Sequence, residues 1–141
     1  MSDEHQQRDR VERWIDLPAS AAEVWAVIGD FGGVAAWHPA IDASEVVEIE
    51  GETYRHLTLS DGEKMLERLV SAEPRACRYE IAEGPLPVEN YRSTLTVFDR
   101  PEGGCRVFWS STFEADDPHA DDLVAGIYEA GLSALRDRFG G

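Results

Sequence analysis

The sequence predicts an α+β domain in which a single antiparallel sheet bends around one long C-terminal helix. Three observations predict this class. Apolar residues alternate with polar ones in seven segments, which is the period of a half-buried strand. Short turn-like breaks separate the last six of these segments, as antiparallel hairpins require. The final segment, Pro118–Phe139, instead carries its apolar residues at every third or fourth position, as a helix packed on one face does.

The chain before the hairpins predicts one strand and two short helices. Arg10–Leu17 alternates apolar and polar residues, and a proline ends it. Ser20 and Glu23 then stand at the spacing of a capping box, so a helix is expected to begin there. The stretch "FGGVAAWH", Phe31–His38, predicts a second helical turn that is loosened by two glycines and ended by Pro39.

Six strands are predicted after this point, because the apolar period becomes two and β-branched and aromatic residues are frequent. They are Ala43–Ile49, Tyr54–Leu59, Lys64–Ala72, Arg78–Ala82, Tyr91–Phe98 and Cys105–Phe113. Together with the first strand they provide enough strands to wrap one sheet around the C-terminal helix.

The turn Ser60–Gly62 predicts the register of one hairpin. A three-residue loop needs a left-handed residue, which Gly62 supplies, and it sets Arg55 opposite Glu67. A two-residue loop would set Arg55 opposite Arg68, and like charges directly opposed are unfavourable. The first register is therefore expected, with Leu57 on the same face as the Arg55–Glu67 pair.

The C-terminal helix is expected to begin with Asp117 as its cap and Pro118 in its first turn. Ile127 and Gly131 lie on its apolar face. A glycine inside a helix costs about 1 kcal/mol relative to alanine. We therefore expect Gly131 to leave space between the helix and the sheet.

The inner face of the sheet is expected to enclose a cavity. A helix that packs flush on a sheet favours plain aliphatic side chains, whereas this face carries charged, hydroxyl and aromatic ones: Arg55, Glu67, Tyr79, Tyr91, Ser93, Trp109 and Ser111. Buried polar groups need partners or water, and small-molecule pockets combine apolar walls with a few polar groups. The alternative is a solid core in which these groups satisfy one another.

Composition excludes several classes of function. The chain of 141 residues has a net charge of −15, which disfavours binding to nucleic acids and to anionic membranes. No apolar run is long enough to span a bilayer, and the polar start lacks the apolar core of a secretory signal, so a cytoplasmic location is expected.

Cys77 and Cys105 stand far apart and the histidines are scattered, so we expect free, buried thiols, no metal site and no cofactor.

Four stretches resemble the polyketide cyclase/dehydrase-like branch of the START/Bet v 1-like (SRPBCC) superfamily. They are "LPASAAEVWAVIGDFGGVAAWHPAI", "YRHLTLSDGEKMLERLV", "EGPLPVENYRSTLTV" and "CRVFWSSTF", followed by the C-terminal helix. The resemblance covers about residues 9–139. It implies a helix-grip fold, with a seven-stranded antiparallel sheet around the C-terminal helix and an internal cavity. A single domain over residues 9–141, preceded by a flexible segment 1–8, is expected.

The resemblance also implies binding of a hydrophobic small molecule that is polyketide-, lipid- or steroid-like. It implies that Trp37 and His38 lie at the mouth of the cavity, that Arg55 and Glu67 face each other across one hairpin, and that the loop Gly84–Val88 is an entrance. The full set of expected ligand-binding residues is Trp37, His38, Arg55, Leu57, Glu67, Tyr79, Tyr91, Ser93, Trp109, Ser111, Ile127 and Gly131.

Two other functions stay open. Relatives include cyclases and aromatases, so the cavity could catalyse aldol cyclisation or dehydration with Glu67, Arg55 and Tyr91 as catalytic residues. A general base needs a pKa matched to the working pH, and burial would raise the pKa of Glu67 while a paired Arg55 would lower it. A protein-interaction module that presents its acidic surface to a basic partner is the third reading. The sequence predicts no oligomeric state.

Overall fold

A computed structural model describes residues 9–140, so the segment 1–8, expected to be flexible, lies outside the described residues. The strands are β1 (Asp9–Leu17), β2 (Ile41–Ile49), β3 (Glu52–Leu59), β4 (Lys64–Glu73), β5 (Ala76–Glu83), β6 (Glu89–Asp99) and β7 (Cys105–Glu114). The helices are α1 (Ala21–Ile28), a 3-10 helix (Phe31–Ala36) and α2 (Ala120–Phe139). All seven predicted strands are present, and several extend one or two residues beyond the predicted ends.

The strands form one sheet in the order β1-β7-β6-β5-β4-β3-β2, and every neighbouring pair is antiparallel. Strands β2 to β7 pair in chain order, as short hairpins dictate. The first strand joins the far edge beside β7, and α2 packs against it, with Arg13 Nε 2.9 Å from the carboxylate of Glu129. The predicted sheet wrapped around a C-terminal helix is confirmed.

The predicted register of the β3–β4 hairpin is confirmed. Arg55 pairs with Glu67 and Leu57 with Met65. The Leu59 amide donates to the Glu63 carbonyl at 2.8 Å, which closes the three-residue loop. Gly62 has φ of 90°, the left-handed conformation that the loop requires.

The capping box of α1 is also confirmed. The Glu23 amide donates to Ser20 Oγ at 3.2 Å, and the Ser20 amide donates to the Glu23 carboxylate at 3.1 Å. The 3-10 helix that follows begins after Asp30, whose carboxylate accepts from the Gly32 amide at 3.1 Å. These two short helices position the segment that carries Trp37 and His38.

The predicted start of α2 is wrong by two residues. The helix begins at Ala120, and Asp117 accepts from the His119 amide at 2.8 Å instead of capping the helix. An aspartate that bonds an amide two residues ahead forms a local turn, which competes with helix formation. Pro118 therefore lies in this turn and not in the first turn of the helix.

The core lies between the inner face of the sheet and α2. In β7 the alternate residues Cys105, Val107, Trp109, Ser111 and Phe113 are all buried, as the period-two pattern predicted. Both cysteines are free and buried. Within residues 9–140, no helix is long and apolar enough to cross a membrane, and no three His, Cys, Asp or Glu side chains are grouped so that they could hold a metal ion.

Candidate ligand-binding site

A cavity of about 150 Å³ lies between the inner face of the sheet and α2. Eight of the twelve predicted ligand-binding residues line it: His38, Arg55, Leu57, Glu67, Tyr79, Tyr91, Trp109 and Ile127. Among the lining residues that were not predicted are Met65, Ile81, Leu86 and Tyr128. Leu86 belongs to the segment Gly84–Val88, so this predicted entrance lies against the cavity.

A buried ion pair forms one wall of the cavity. Arg55 Nε donates to Glu67 Oε1 at 2.7 Å, and Arg55 Nη2 lies 2.6 Å from the same oxygen. Arg55 Nη1 donates to the Phe31 carbonyl at 2.7 Å, which connects the pair to the 3-10 helix. The guanidinium also lies 4.1 Å from the ring centre of Phe31 and 4.9 Å from that of Tyr79.

These contacts keep Arg55 charged inside the protein. Burial alone would lower the pKa of Arg55, because it penalises the charged form. The opposing charge and hydrogen bond of Glu67 outweigh that penalty, and the pKa of Arg55 is raised above its ordinary value. Arg55 therefore stays charged, with the Glu67 side chain as its partner across the salt bridge.

The second carboxylate oxygen of Glu67 is open to the cavity. Among residues 9–140, Oε2 accepts no hydrogen bond, whereas Oε1 takes both contacts from Arg55. The fully enclosed side-chain atoms without a partner in this range belong to Trp37, Ser44 and Ser111. Oε2 has no partner and is not among these enclosed atoms, so it keeps contact with the open space.

A hydroxyl cluster forms another part of the cavity wall, with Tyr128 of α2 at its centre. The Tyr128 hydroxyl is hydrogen-bonded to the hydroxyl of Tyr91 and lies 2.9 Å from Ser93 Oγ. The indole of Trp109 donates to Tyr79 OH at 3.0 Å and to Ser93 Oγ at 3.2 Å. The Tyr128 ring stacks on Trp109 with centroids 4.4 Å apart. Tyr128 lies within the predicted C-terminal helix but was not among the predicted site residues.

Burial keeps these phenols protonated. It raises the pKa of Tyr79 and Tyr91 well above the ordinary value. Burial likewise raises the pKa of Tyr128, to about 12, although its hydrogen bonds with Ser93 and Tyr91 oppose the shift. The phenols of the cluster are therefore neutral at neutral pH.

His38 is not at the mouth of the cavity, as the resemblance implied, but is 1% exposed beneath α2. Its Nδ1 accepts from the Ala40 amide at 3.1 Å, so the proton is on Nε2, which lies 2.8 Å from the Ile127 carbonyl. Burial lowers the pKa of His38, and nearby Arg55 lowers it further, against the effect of the Ile127 hydrogen bond. His38 is therefore a neutral histidine that fastens the 3-10 segment to α2.

The other predicted site residues pack behind the cavity wall. Trp37 is buried rather than at the mouth, with its ring centre 5.6 Å from that of His38 and 5.8 Å from that of Trp109. Ser93 and Ser111 are buried on the inner face. The prediction that Gly131 leaves open space is wrong, because a Cβ there would lie 2.8 Å from His38 Cδ2 and 2.9 Å from Trp109 Cζ3. These two rings fill the space that the glycine provides.

A family model described as polyketide cyclase/dehydrase and lipid transport matches residues 8–140. No curated protein matches the sequence. Two solved structures from Bacillus species are among those similar to this chain. XoxI from Bacillus cereus is 35% identical with a TM-score of 0.85, over 92% of this chain and 94% of XoxI. An uncharacterised protein from Bacillus thuringiensis is 36% identical with a TM-score of 0.85, over 93% of this chain and 98% of that one.

A more distant structure has the same fold. Ara h 8.0201 is 17% identical with a TM-score of 0.75, over 94% of this chain and 98% of its own. At that identity the likeness shows the fold alone. It confirms the helix-grip arrangement expected for a Bet v 1-like protein.

Proposed function

We propose that the cavity binds a polyketide-, lipid- or steroid-like molecule, because the chain belongs to the polyketide cyclase/dehydrase and lipid transport family. The family and the fold support a role in hydrophobic ligand binding. The finer proposal depends on one observation. The cavity between sheet and helix combines apolar walls with a single buried ion pair and neutral phenols, as small-molecule sites do.

The volume of the cavity limits how such a ligand is held. Typical ligand pockets measure about 300–1,000 Å³, whereas this cavity measures about 150 Å³. A space of that size accommodates about one benzene ring. A polyketide or steroid would therefore insert one end, and the rest would extend past the exposed lining residues Ser60 and Asp61 or displace the Gly84–Val88 segment.

Binding is tested with freshly purified protein by native mass spectrometry and by Trp fluorescence against a panel of fatty acids, steroids and aromatic polyketides. A bulky side chain at Ile127, which lines the cavity from α2, should occupy the site. We expect Ile127→Trp to abolish uptake. The matched control is Leu123→Trp, one turn earlier at an exposed position of the same helix. Failure of the wild type to bind any member of the panel, or equal uptake by both variants, would contradict the proposal.

A cyclase-like or aromatase-like enzyme is the second candidate, because Glu67 places an unpartnered carboxylate oxygen in the cavity. In this function Oε2 would take the proton that an aldol cyclisation or dehydration removes. Arg55 would hold the carboxylate in place, and Tyr91 would turn from its hydrogen bond with Tyr128 to donate to a ligand carbonyl. Turnover of a model poly-β-ketone substrate, lost in Glu67→Gln and retained in Glu63→Gln, would support catalysis. Unchanged turnover in Glu67→Gln would exclude Glu67 as the base.

A further inference from the structure

We propose that the cavity selects a neutral, one-ring ligand group that carries a hydrogen-bond donor, as a phenol does, and that Glu67 Oε2 accepts that donor. This inference rests on the proposed ligand-binding function and specifies the chemistry of the group that enters. It follows from three properties of the cavity: the polar atom that is left without a partner, the volume, and the charge.

Most of the polar groups on the wall already have a hydrogen-bond partner, and one carboxylate acceptor does not. Both ring nitrogens of His38 have partners, and the Tyr91 hydroxyl is bonded to Tyr128. The Tyr79 hydroxyl accepts from Trp109. Glu67 Oε2 is the carboxylate oxygen that no described residue satisfies. A ligand that donates a hydrogen bond to it satisfies an acceptor that an apolar ligand would leave buried and unpaired.

The volume and the walls favour a flat ring. A cavity of about 150 Å³ has the size of an engineered cavity that binds benzene. Aromatic side chains stand on several of its sides, namely Tyr79, Tyr91, Trp109 and Tyr128. Aromatic rings gain from offset or edge-to-face contacts with such walls beyond the area they bury.

The charges disfavour an anion. The positive charge of Arg55 is balanced by Glu67, and three of its nitrogens already contact Glu67 or the Phe31 carbonyl. Asp61 lies on the exposed rim of the cavity and adds a negative charge. A carboxylate that enters would meet two other carboxylates and a guanidinium whose charge is already compensated. A neutral donor meets no such repulsion.

The test compares three molecules of similar size: phenol, toluene and benzoate. Their affinities are measured by isothermal titration calorimetry and by quenching of Trp fluorescence, because Trp109 lines the cavity. A hydrogen bond to a charged acceptor corresponds to about tenfold or more in affinity. We expect phenol to bind at least about tenfold more tightly than toluene, and benzoate to bind more weakly than either.

Two variants sharpen the comparison. In Glu67→Gln the charge of Arg55 is no longer balanced, so we expect the preference for phenol over toluene to fall to a few-fold and benzoate to bind more tightly than to the wild type. Glu63→Gln, at an exposed position of the same hairpin, should leave all three affinities unchanged. Anisole, which carries the phenol oxygen without its proton, repeats the test on the wild type alone and should bind like toluene.

The possible results separate this inference from the proposed function. Equal affinities for phenol, toluene and anisole would overturn the selection of a donor while leaving hydrophobic ligand binding intact. Tightest binding of benzoate by the wild type would overturn it as well. If none of these one-ring molecules binds although larger hydrophobic molecules of the panel do, the inference is wrong and the proposed function stands.

Discussion

Replacing Gly131 by alanine tests how the cavity wall is packed. Alanine is the better helix former, so a glycine-to-alanine change at an open helical position stabilises by about 1 kcal/mol. At Gly131 the new Cβ would lie 2.8 Å from His38 Cδ2, 2.9 Å from Trp109 Cζ3 and 3.0 Å from His38 Nε2. Carbon atoms pack best at about 3.5–4.0 Å. The gain in helix propensity is therefore opposed by three contacts that are too close.

Neither ring can move away cheaply. His38 is fixed by hydrogen bonds of 3.1 Å to the Ala40 amide and 2.8 Å to the Ile127 carbonyl. Trp109 is held by its stack on Tyr128 and by its indole hydrogen bonds. Overpacking a rigid core costs about 1–3 kcal/mol, which exceeds the propensity gain over most of that range. We expect Gly131→Ala to destabilise the protein by about 1 kcal/mol net, the difference between these two effects.

Gly126 provides the matched control, because it lies in the same helix and a Cβ there meets nothing within 4 Å. Gly126→Ala should stabilise by about 1 kcal/mol. Both variants are compared by urea denaturation, with thermal unfolding as a second measurement, where 1 kcal/mol corresponds to about 3–4 °C in Tm. Equal stabilisation by the two substitutions would refute the packing argument, since it would mean that the space beside Gly131 is open after all.

Three further substitutions test other parts of the site. Glu67→Leu alone should destabilise by about 3–5 kcal/mol in urea denaturation because it leaves the Arg55 charge buried and unpaired, whereas the double variant with Arg55→Met should recover most of that loss. Tyr128→Phe should cost about 1–2 kcal/mol in the same assay because it leaves the buried Tyr91 hydroxyl without its partner, and Tyr54→Phe outside the core should change little. His38 takes up a proton less readily in the folded protein than in the unfolded chain, since burial lowers its pKa from an ordinary value of 6.5. Its contribution to stability is therefore complete above about pH 6.5 and falls as the pH drops below that value. His38→Gln should flatten this part of a stability profile measured between pH 5 and 7.5, and an unchanged slope would contradict the assignment of a neutral histidine.

The sequence was sufficient to predict the architecture because local patterns determine it. The period-two segments are separated by turns, and one of these turns carries its own register signal in Gly62. That signal, together with the repulsion between Arg55 and Arg68 in the alternative register, predicted the Arg55–Glu67 pair that the structure contains. Contacts within a hairpin are local in sequence, and turn chemistry constrains them directly.

The depth of each side chain could not be predicted in the same way. His38 and Gly131 are 93 positions apart in the chain, and no local pattern shows that one fills the space beside the other. A glycine on an apolar helix face indicates a close approach or a void, and only the tertiary structure distinguishes the two. Tyr128 illustrates the same limit, because it lies within the predicted C-terminal helix while its hydroxyl partners, Tyr91 and Ser93, lie on the distant strand β6.

The Arg55–Glu67 pair is difficult to explain by stability alone. Desolvating two charges costs free energy that their attraction only partly returns, and apolar pairs of similar volume are often as stable or more so. The inner face of the sheet elsewhere carries Leu95, Val97 and Val107, which shows that this face accepts aliphatic packing. The pair also leaves one carboxylate oxygen unpartnered beside a cavity, and an arrangement selected for stability alone would satisfy that atom. Both observations favour the proposed role of the pair in ligand recognition, and that proposal requires the Arg55→Met/Glu67→Leu variant to recover stability and to lose the preference for phenol.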